Sequence, residues 1–185
     1  MERKISDEIS KIEEQFIERI ADNMRTYGVS TTVGRVLGII YTKRRPMTLE
    51  ELSEDTGMSK TRMSQVVREM VSLNVADKVY EKGVRKDLYN VEQDYYQTFI
   101  SIFSANWQAV VTKNKAVGKK LRSEIHQFLK DEQHRLTTEE TEKLHSLLRE
   151  SNNWLDYYEW IDRVIDFFES GDVFTHIPKP TDRGS

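Results

Sequence analysis

Residues 48–74 read TLEELSEDTGMSKTRMSQVVREMVSLN, and this stretch decides the fold. Thr48 and Glu51 have the spacing of a capping box, in which each side chain accepts a hydrogen bond from the backbone N–H of the other residue. This spacing predicts a short helix that ends at Thr56-Gly57. Ser59 is then placed to cap a second helix over residues 60–73. Two helices joined by a short turn that contains glycine are typical of a helix-turn-helix.

Residues 75–91 read VADKVYEKGVRKDLYNV and have a different periodicity. Apolar and polar residues alternate over residues 75–82, Gly83 follows, and residues 88–91 form another β-like run. Two such runs around a basic turn at Lys82-Gly83 predict a β-hairpin. A hairpin directly after the second helix is a wing, so we expect a winged helix-turn-helix, with residues 46–92 as the DNA-binding region.

The second helix carries the predicted DNA-reading residues. Met63, Val66, Val67, Met70 and Val71 are expected to be buried, and the polar side opposite them is rich in cations and short polar groups. Gln65 can bond an adenine edge, and Arg62 or Arg68 can bond guanine or phosphate. The predicted DNA-binding residues of this helix are Ser59, Lys60, Thr61, Arg62, Ser64, Gln65 and Arg68. The alternative is a merely solvated face, but the capped helix before it and the basic hairpin after it favour DNA binding.

The wing supplies a second set of cations, namely Lys82, Arg85 and Lys86 around Gly83. The negative potential of the minor groove attracts arginine, so Arg85 is the predicted wing reader. A charged turn that only keeps the protein soluble is the alternative for each single residue.

Long helices flank the reader, which predicts a mainly α fold. In residues 1–45, the stripe Ile9, Ile12, Phe16, Ile20 and Met24 predicts one helix, and residues 32–42, capped by Ser30 or Thr31, predict another. Gly34 and Gly38 share one face of the second helix, which predicts close packing against a neighbouring helix. Residues 93–171 contain two long helical segments. The second is capped at Thr137, and Leu147 and Trp154 are expected among its buried residues. Residues 172–185 are expected to be a flexible tail. Because a small reader cannot bury the apolar stripes of these helices, the N- and C-terminal helices are expected to form a dimerisation region.

The composition argues against several other functions. The chain has no cysteine, four histidines without metal-ligand spacing and no phosphate-binding loop, so we expect no enzyme activity, cofactor or metal. No apolar run approaches the ~20 residues of a membrane span, and the charged N-terminus does not resemble a signal peptide. A cytoplasmic location is therefore expected. The net charge of −3 excludes a general polycation but not a localised DNA-binding face.

Several motifs occur together along the chain, namely Tyr27-Gly28, VGRVLG at 33–38, PMTLEEL at 46–52, GMSK at 57–60, Ser64 and VYEKGVRKD at 79–87. Together they resemble the GbsR-type branch of the MarR superfamily of winged-helix regulators. The likeness covers about residues 10–170. It implies a homodimer that binds a pseudo-palindromic operator and represses genes for choline or glycine-betaine uptake or synthesis, in some members until choline binds.

An effector such as choline would be bound by aromatic faces through cation–π attraction. The candidate residues are Tyr41, Tyr95, Tyr96 and Trp107. The alternative is that these rings fill the core and the dimer interface. For the whole chain, the alternative function is a winged-helix protein–protein adaptor without specific DNA binding. An adaptor helix should expose apolar anchors, whereas this recognition face is polar.

Overall fold

The computed structural model describes the backbone of residues 2–180 and the side chains of residues 4–180. The chain forms two compact units, one up to Ala105 and one from Asn106. The elements are α1 (Glu2–Met24), a 3-10 turn (Arg25–Tyr27), α2 (Thr31–Lys43), β1 (Met47–Thr48), α3 (Leu49–Thr56), α4 (Lys60–Ser72), β2 (Ala76–Val79), β3 (Leu88–Val91), α5 (Tyr95–Asp131), α6 (Thr138–Glu169) and α7 (Val173–His176). The predicted mainly α fold with a small β-hairpin is confirmed.

The helix ends lie where local chemistry places them. The hydroxyls of Ser30 and Ser59 accept hydrogen bonds from the first turns of α2 and α4. Thr48 with Glu51, and Thr137 with Glu140, form complete capping boxes. These groups satisfy backbone donors that a helix start leaves unpaired. The four caps predicted from the sequence are confirmed, and Ser30 rather than Thr31 caps α2.

Helices α1 and α2 approach closely because two glycines face the contact. A Cβ atom added to Gly34 would lie 2.7 Å from the Ala21 Cα, and one added to Gly38 would lie 3.0 Å from the Ile17 Cα. The close packing predicted for this glycine pair is confirmed. On α1, however, most of the apolar stripe faces solvent in a single chain: Ile9, Ile12 and Phe16 are each more than half exposed.

A three-stranded sheet joins the helix-turn-helix to the wing. Strands β2 and β3 form the predicted antiparallel hairpin, with Ala76 opposite Val91 and Val79 opposite Leu88. The first strand ends at Val79 rather than Lys82. The sequence pattern carries no signal for β1, whose Met47 pairs with Tyr89 of β3. Strand β1 leads directly into α3, so backbone hydrogen bonds connect the start of the helix-turn-helix to the wing.

The core of the first unit is continuous from α1 to the beginning of α5. Side chains less than 2% exposed include Leu37, Ile40, Leu52, Met63, Met70 and Ile102. Because Ile102 of α5 belongs to this core, the unit ends after Ala105. The boundary therefore differs from the division after residue 92 that the sequence suggested.

The second unit pairs the rest of α5 with α6. Lys115 of α5 donates to Glu159 at 2.6 Å and to Asp162 at 2.8 Å, and Ile161 and Ile165 are buried. The prediction that α6 also buries Leu147 and Trp154 is wrong for a single chain, since these side chains are 45% and 44% exposed. A two-helix hairpin covers only one side of each helix, so the remaining apolar residues stay on its surface.

Helix α7 lies where the sequence suggested a flexible tail from residue 172. Val173 is buried, and the Ile177 N–H donates to the Val173 carbonyl at 2.8 Å, so burial and a closed turn account for the order of this segment. Residues 181–185 of the expected tail lie outside the described residues.

Candidate nucleic-acid interface

Helix α4 presents a buried apolar side and an exposed polar side. Met63, Val66, Val67 and Met70 are at most 1% exposed, as predicted. The prediction that Val71 is buried is wrong, since it is 41% exposed. Val71 lies at the edge of the apolar side of α4, and the small core covers only the middle of that side.

The polar side of α4 carries the predicted DNA-reading residues at its N-terminal end. Arg62 donates to the Gln65 side-chain oxygen at 3.4 Å, and the Arg68 Nε donates to the Ser64 carbonyl at 3.1 Å. Ser64 is half-buried, whereas Ser59, Lys60, Thr61, Arg62, Gln65 and Arg68 are exposed. The structure therefore brings together the seven predicted residues of this helix and leaves the long polar side chains open to a ligand.

The wing tip is an exposed basic loop. The Val84 N–H donates to the Glu81 carbonyl at 3.1 Å, and Gly83 adopts a φ of 90°, a conformation that favours glycine. Lys82, Arg85 and Lys86 are all exposed. Among the described residues, no carboxylate lies within ion-pair distance of Lys82 or Arg85, so both cations are open to an anionic partner.

Glu50 of α3 connects the recognition helix and the wing, a role that the sequence pattern does not indicate. Its Oε1 lies 2.6 Å from the Lys60 Nζ and 3.6 Å from the Lys86 Nζ. The hydrogen bond from Lys60 is the main reason that the pKa of Glu50 lies below its ordinary value, and Lys86 lowers it further. No local motif signals this contact, because the hairpin alone brings Lys86 close to α3.

A second feature of the first unit is a cavity of about 150 Å³ between α1, α2 and α5. Tyr41 and Tyr95 line it with their ring centroids 4.9 Å apart, and Tyr27 and Phe99 line it with theirs 6.1 Å apart. The other lining residues are Ile20, Asn23, Met24, Leu37, Thr98 and Ile102. No charged side chain is among the residues that line the cavity.

Tyr41 is buried, and negatively charged side chains lie near it. Its hydroxyl is 2.6 Å from the Thr98 Oγ1. Burial raises the pKa of Tyr41; the hydrogen bond to Thr98 opposes this shift, and the nearby charges of Glu92 and Asp94 raise the pKa further. Burial, the largest cause of this shift, disfavours any charged group, whereas the smaller electrostatic contributions of Glu92 and Asp94 would favour a cation.

The structure brings only part of the predicted effector set together. Tyr41 and Tyr95 line the cavity, Tyr96 is not among its lining residues, and Trp107 belongs to the second unit. Tyr27 and Phe99, which also line the cavity, are not among the residues predicted to bind an effector. The spacing of aromatic residues along the chain carries no signal that Tyr27 and Phe99 meet.

Two other kinds of site are absent from the described part of the chain. Within residues 4–180, whose side chains the structure describes, there is no cluster of three or more His, Asp or Glu side chains that could hold a metal ion. Over the same range, no helix is both long and apolar enough to cross a membrane.

Comparison with known proteins gives consistent results. A model for the C-terminal helical hairpin of GbsR family transcriptional regulators matches residues 95–175. The chain is 63% identical over 172 residues to the putative HTH-type transcriptional regulator YvaV of Bacillus subtilis (strain 168), with 93% of this chain and 96% of that protein covered. It is 60% identical over 179 residues to the HTH-type transcriptional repressor OpcR of the same organism, with 97% and 96% covered.

A more distant relative and a solved structure extend this result. The HTH-type transcriptional repressor GbsR of Bacillus subtilis (strain 168) is 30% identical over 174 residues, with 94% of each chain covered. A crystal structure described as a transcriptional regulator aligns with a TM-score of 0.56 at 14% identity, covering 86% of this chain and 97% of that one. At this identity the structural likeness supports the fold.

Proposed function

Because the chain belongs to the GbsR family of HTH-type transcriptional regulators, we propose that it is a repressor that binds a pseudo-palindromic operator as a homodimer. The observation that carries the proposal is the exposed polar end of α4, where Lys60, Gln65 and Arg68 lie on one helix face. Two relatives are named repressors, which supports the sign of regulation. The family resemblance supports osmoprotectant uptake or synthesis genes as the targets.

In this proposal, α4 enters the major groove with its N-terminal end towards the bases. Gln65 reads an adenine edge and Arg68 reads guanine or binds a phosphate. Ser59 and the first backbone amides of α4 bind a phosphate oxygen. The wing carries Lys82, Arg85 and Lys86 to the neighbouring minor groove, where Arg85 is the main contact.

The exposed apolar surface of the long helices supports a homodimer. Ile5, Ile9, Ile12 and Phe16 are 53–61% exposed on α1, and their spacing places them on one side of the helix. In the second unit, Leu121, Phe128, Leu147 and Trp154 are also exposed. Contiguous exposed apolar surface of this kind marks an interface. A dimer would present two readers to half-sites roughly 34 Å apart.

The experiment selects bound duplexes from fragmented genomic DNA with the purified protein, then measures binding to a recovered duplex and to its scrambled counterpart. We expect Gln65→Ala and Arg68→Ala each to weaken operator binding by about tenfold to a hundredfold, because a bidentate base contact contributes about 1–3 kcal/mol. Gln133→Ala and Arg122→Ala are matched controls, since both residues are exposed and lie in the second unit.

Unchanged operator affinity in both α4 variants would contradict the groove assignment. Recovery of no preferred duplex would contradict specific DNA binding and favour the adaptor function.

We further propose that the cavity between α1, α2 and α5 binds a small quaternary ammonium effector such as choline. Four aromatic rings line it, no cationic side chain does, and the charges of Glu92 and Asp94 act on the Tyr41 side chain. Aromatic faces attract a desolvated cation by about 2 kcal/mol. Tyr41 and Tyr95 are the principal contacts of the effector, and Tyr27 and Phe99 form the second pair of rings around it.

Calorimetry with choline and with dimethylbutanol, its uncharged carbon isostere, tests this proposal. Tyr95→Ala should abolish choline binding, whereas Tyr96→Ala should leave it intact, because Tyr95 lines the cavity and Tyr96 does not. The isostere should bind more weakly than choline, since it lacks the charge. Equal binding of the two ligands, or choline binding that survives Tyr95→Ala, would contradict the proposal.

A further inference from the structure

Three side chains from three elements converge beside the proposed DNA-binding face. Glu50 lies in α3, Lys60 opens α4, and Lys86 lies just before β3. The two ammonium groups lie 2.6 Å and 3.6 Å from the same carboxylate oxygen, the Oε1 of Glu50. Lysine ammonium groups also bind phosphate oxygens, so a DNA phosphate can compete with this carboxylate for both lysines.

The cluster is accessible to a macromolecular ligand. The exposed fraction of the side chain is 34% for Glu50, 57% for Lys60 and 61% for Lys86. Lys60 and its hydrogen bond lower the pKa of Glu50, so the carboxylate is ionised at neutral pH. Its single negative charge therefore offsets one of the two positive charges that Lys60 and Lys86 would present to DNA.

We infer that Glu50 acts as an internal competitor of the DNA backbone, occupying Lys60 and Lys86 until a phosphate group displaces its carboxylate. This inference rests on the proposed function, which places α4 and the wing against DNA. Phosphate contacts are independent of base sequence and account for the salt dependence of binding. Glu50 should therefore limit the affinity for every duplex by a similar factor and leave base discrimination to Gln65 and Arg68.

A neighbouring acid provides a matched control for this role. Glu54 lies in the same helix and lines the same groove between α3 and the wing. Among the described residues, no cation forms an ion pair with it. Glu54→Gln and Glu50→Gln change the net charge equally, but only the second releases Lys60 and Lys86. Neither residue belongs to the capping box of α3, which Thr48 and Glu51 form, so both variants should fold.

The experiment measures the affinity of the full-length wild type and both variants for the recovered operator duplex and for scrambled duplex over a series of salt concentrations. Exposed ion pairs are weak and screened by salt, so Glu50→Gln should bind both duplexes about three- to tenfold more tightly at low salt. Because salt also screens the ion pairs that hold Lys60 and Lys86 in the wild type, this gain should shrink as salt rises, and the plot of log affinity against log salt should be steeper for Glu50→Gln. Glu54→Gln should change both quantities less.

A background that lacks both lysines tests whether their release causes the tighter binding of Glu50→Gln. In a Lys60→Ala, Lys86→Ala background, Glu50→Gln should have no larger effect than Glu54→Gln. Weaker binding by Glu50→Gln would overturn the inference, since it would mean that Glu50 pre-organises the interface. An effect equal to that of Glu54→Gln in the wild-type background would also overturn it.

The scrambled duplex separates this inference from the proposed function. A wild type without preference for the operator would contradict specific recognition by α4. The comparison of Glu50→Gln with Glu54→Gln on scrambled duplex would still decide the role of Glu50, because phosphate contacts do not depend on sequence.

Discussion

Replacing Gly34 by alanine tests the close contact between α1 and α2, on which the first unit is built. The added Cβ would lie 2.7 Å from the Ala21 Cα and 2.7 Å from the Met24 Cγ. The Met24 side chain can change rotamer, but Ala21 is contacted at its backbone. The substitution can therefore be accommodated only if α1 moves away from α2.

Two opposing effects set the magnitude. In a helix interior, alanine is more favourable than glycine by about 1 kcal/mol. Overpacking of a well-packed contact costs about 1–3 kcal/mol, and occasionally more, and a required backbone shift places this site at the upper end. We expect Gly34→Ala to lower the free energy of unfolding by about 1–2 kcal/mol. For a chain of this size, that corresponds to a fall in Tm of about 2–8 °C.

Gly118→Ala is the matched control, since Gly118 also lies in a helix at a helix–helix contact. Its added Cβ would meet the Leu155 Cδ2 at 2.8 Å and the Cγ at 3.1 Å. The end of a leucine side chain can rotate away, so the favourable helix propensity of alanine should roughly cancel the clash and leave Tm within about 2 °C of the wild type.

The assay is thermal and urea unfolding followed by circular dichroism, at one protomer concentration because dimerisation would shift Tm. A Gly34→Ala variant as stable as the wild type would refute the reasoning, since it would show that α1 and α2 do not meet at this distance. If Gly118→Ala lost as much stability as Gly34→Ala, a clash with a side chain would cost as much as a clash with the backbone, contrary to this account.

Three further predictions address the wing, the capping box and the proposed dimer. Arg85→Ala should weaken DNA binding and make the salt dependence shallower by about 0.9 for each phosphate that is no longer neutralised, as measured by fluorescence anisotropy; an unchanged slope would remove Arg85 from the interface. The hydrogen bond from the Thr48 backbone, assisted by Arg45, lowers the pKa of Glu51 to about 2. Its stabilising effect should thus be complete above about pH 4.5 and be lost as the pH falls towards 2; urea midpoints of Glu51→Gln should fall less steeply over this range, and equal slopes would contradict this account. Phe16→Asp should dissociate the dimer in analytical ultracentrifugation without loss of helicity, because Phe16 is 61% exposed in a single chain, whereas the neighbouring Gln15→Asp should not; a persistent Phe16→Asp dimer would exclude α1 from the interface.

The sequence by itself determined the features that depend on a few neighbouring residues. The caps at Ser30, Thr48, Ser59 and Thr137 are local hydrogen bonds between residues three positions apart, so the starts of four helices could be predicted. The helix-turn-helix and the hairpin follow from these caps and from the change in periodicity after residue 74. The polar face of α4 follows from helix geometry alone.

Only the tertiary structure decided which apolar and charged residues meet across the chain. Helical periodicity predicted that Val71, Leu147 and Trp154 are buried, but a side chain is buried only where another element covers it. The packing of the first unit places Tyr27 next to Phe99, and the hairpin places Lys86 next to Glu50. Both contacts depend on the packing of elements that are distant in the chain, and no local spacing encodes them.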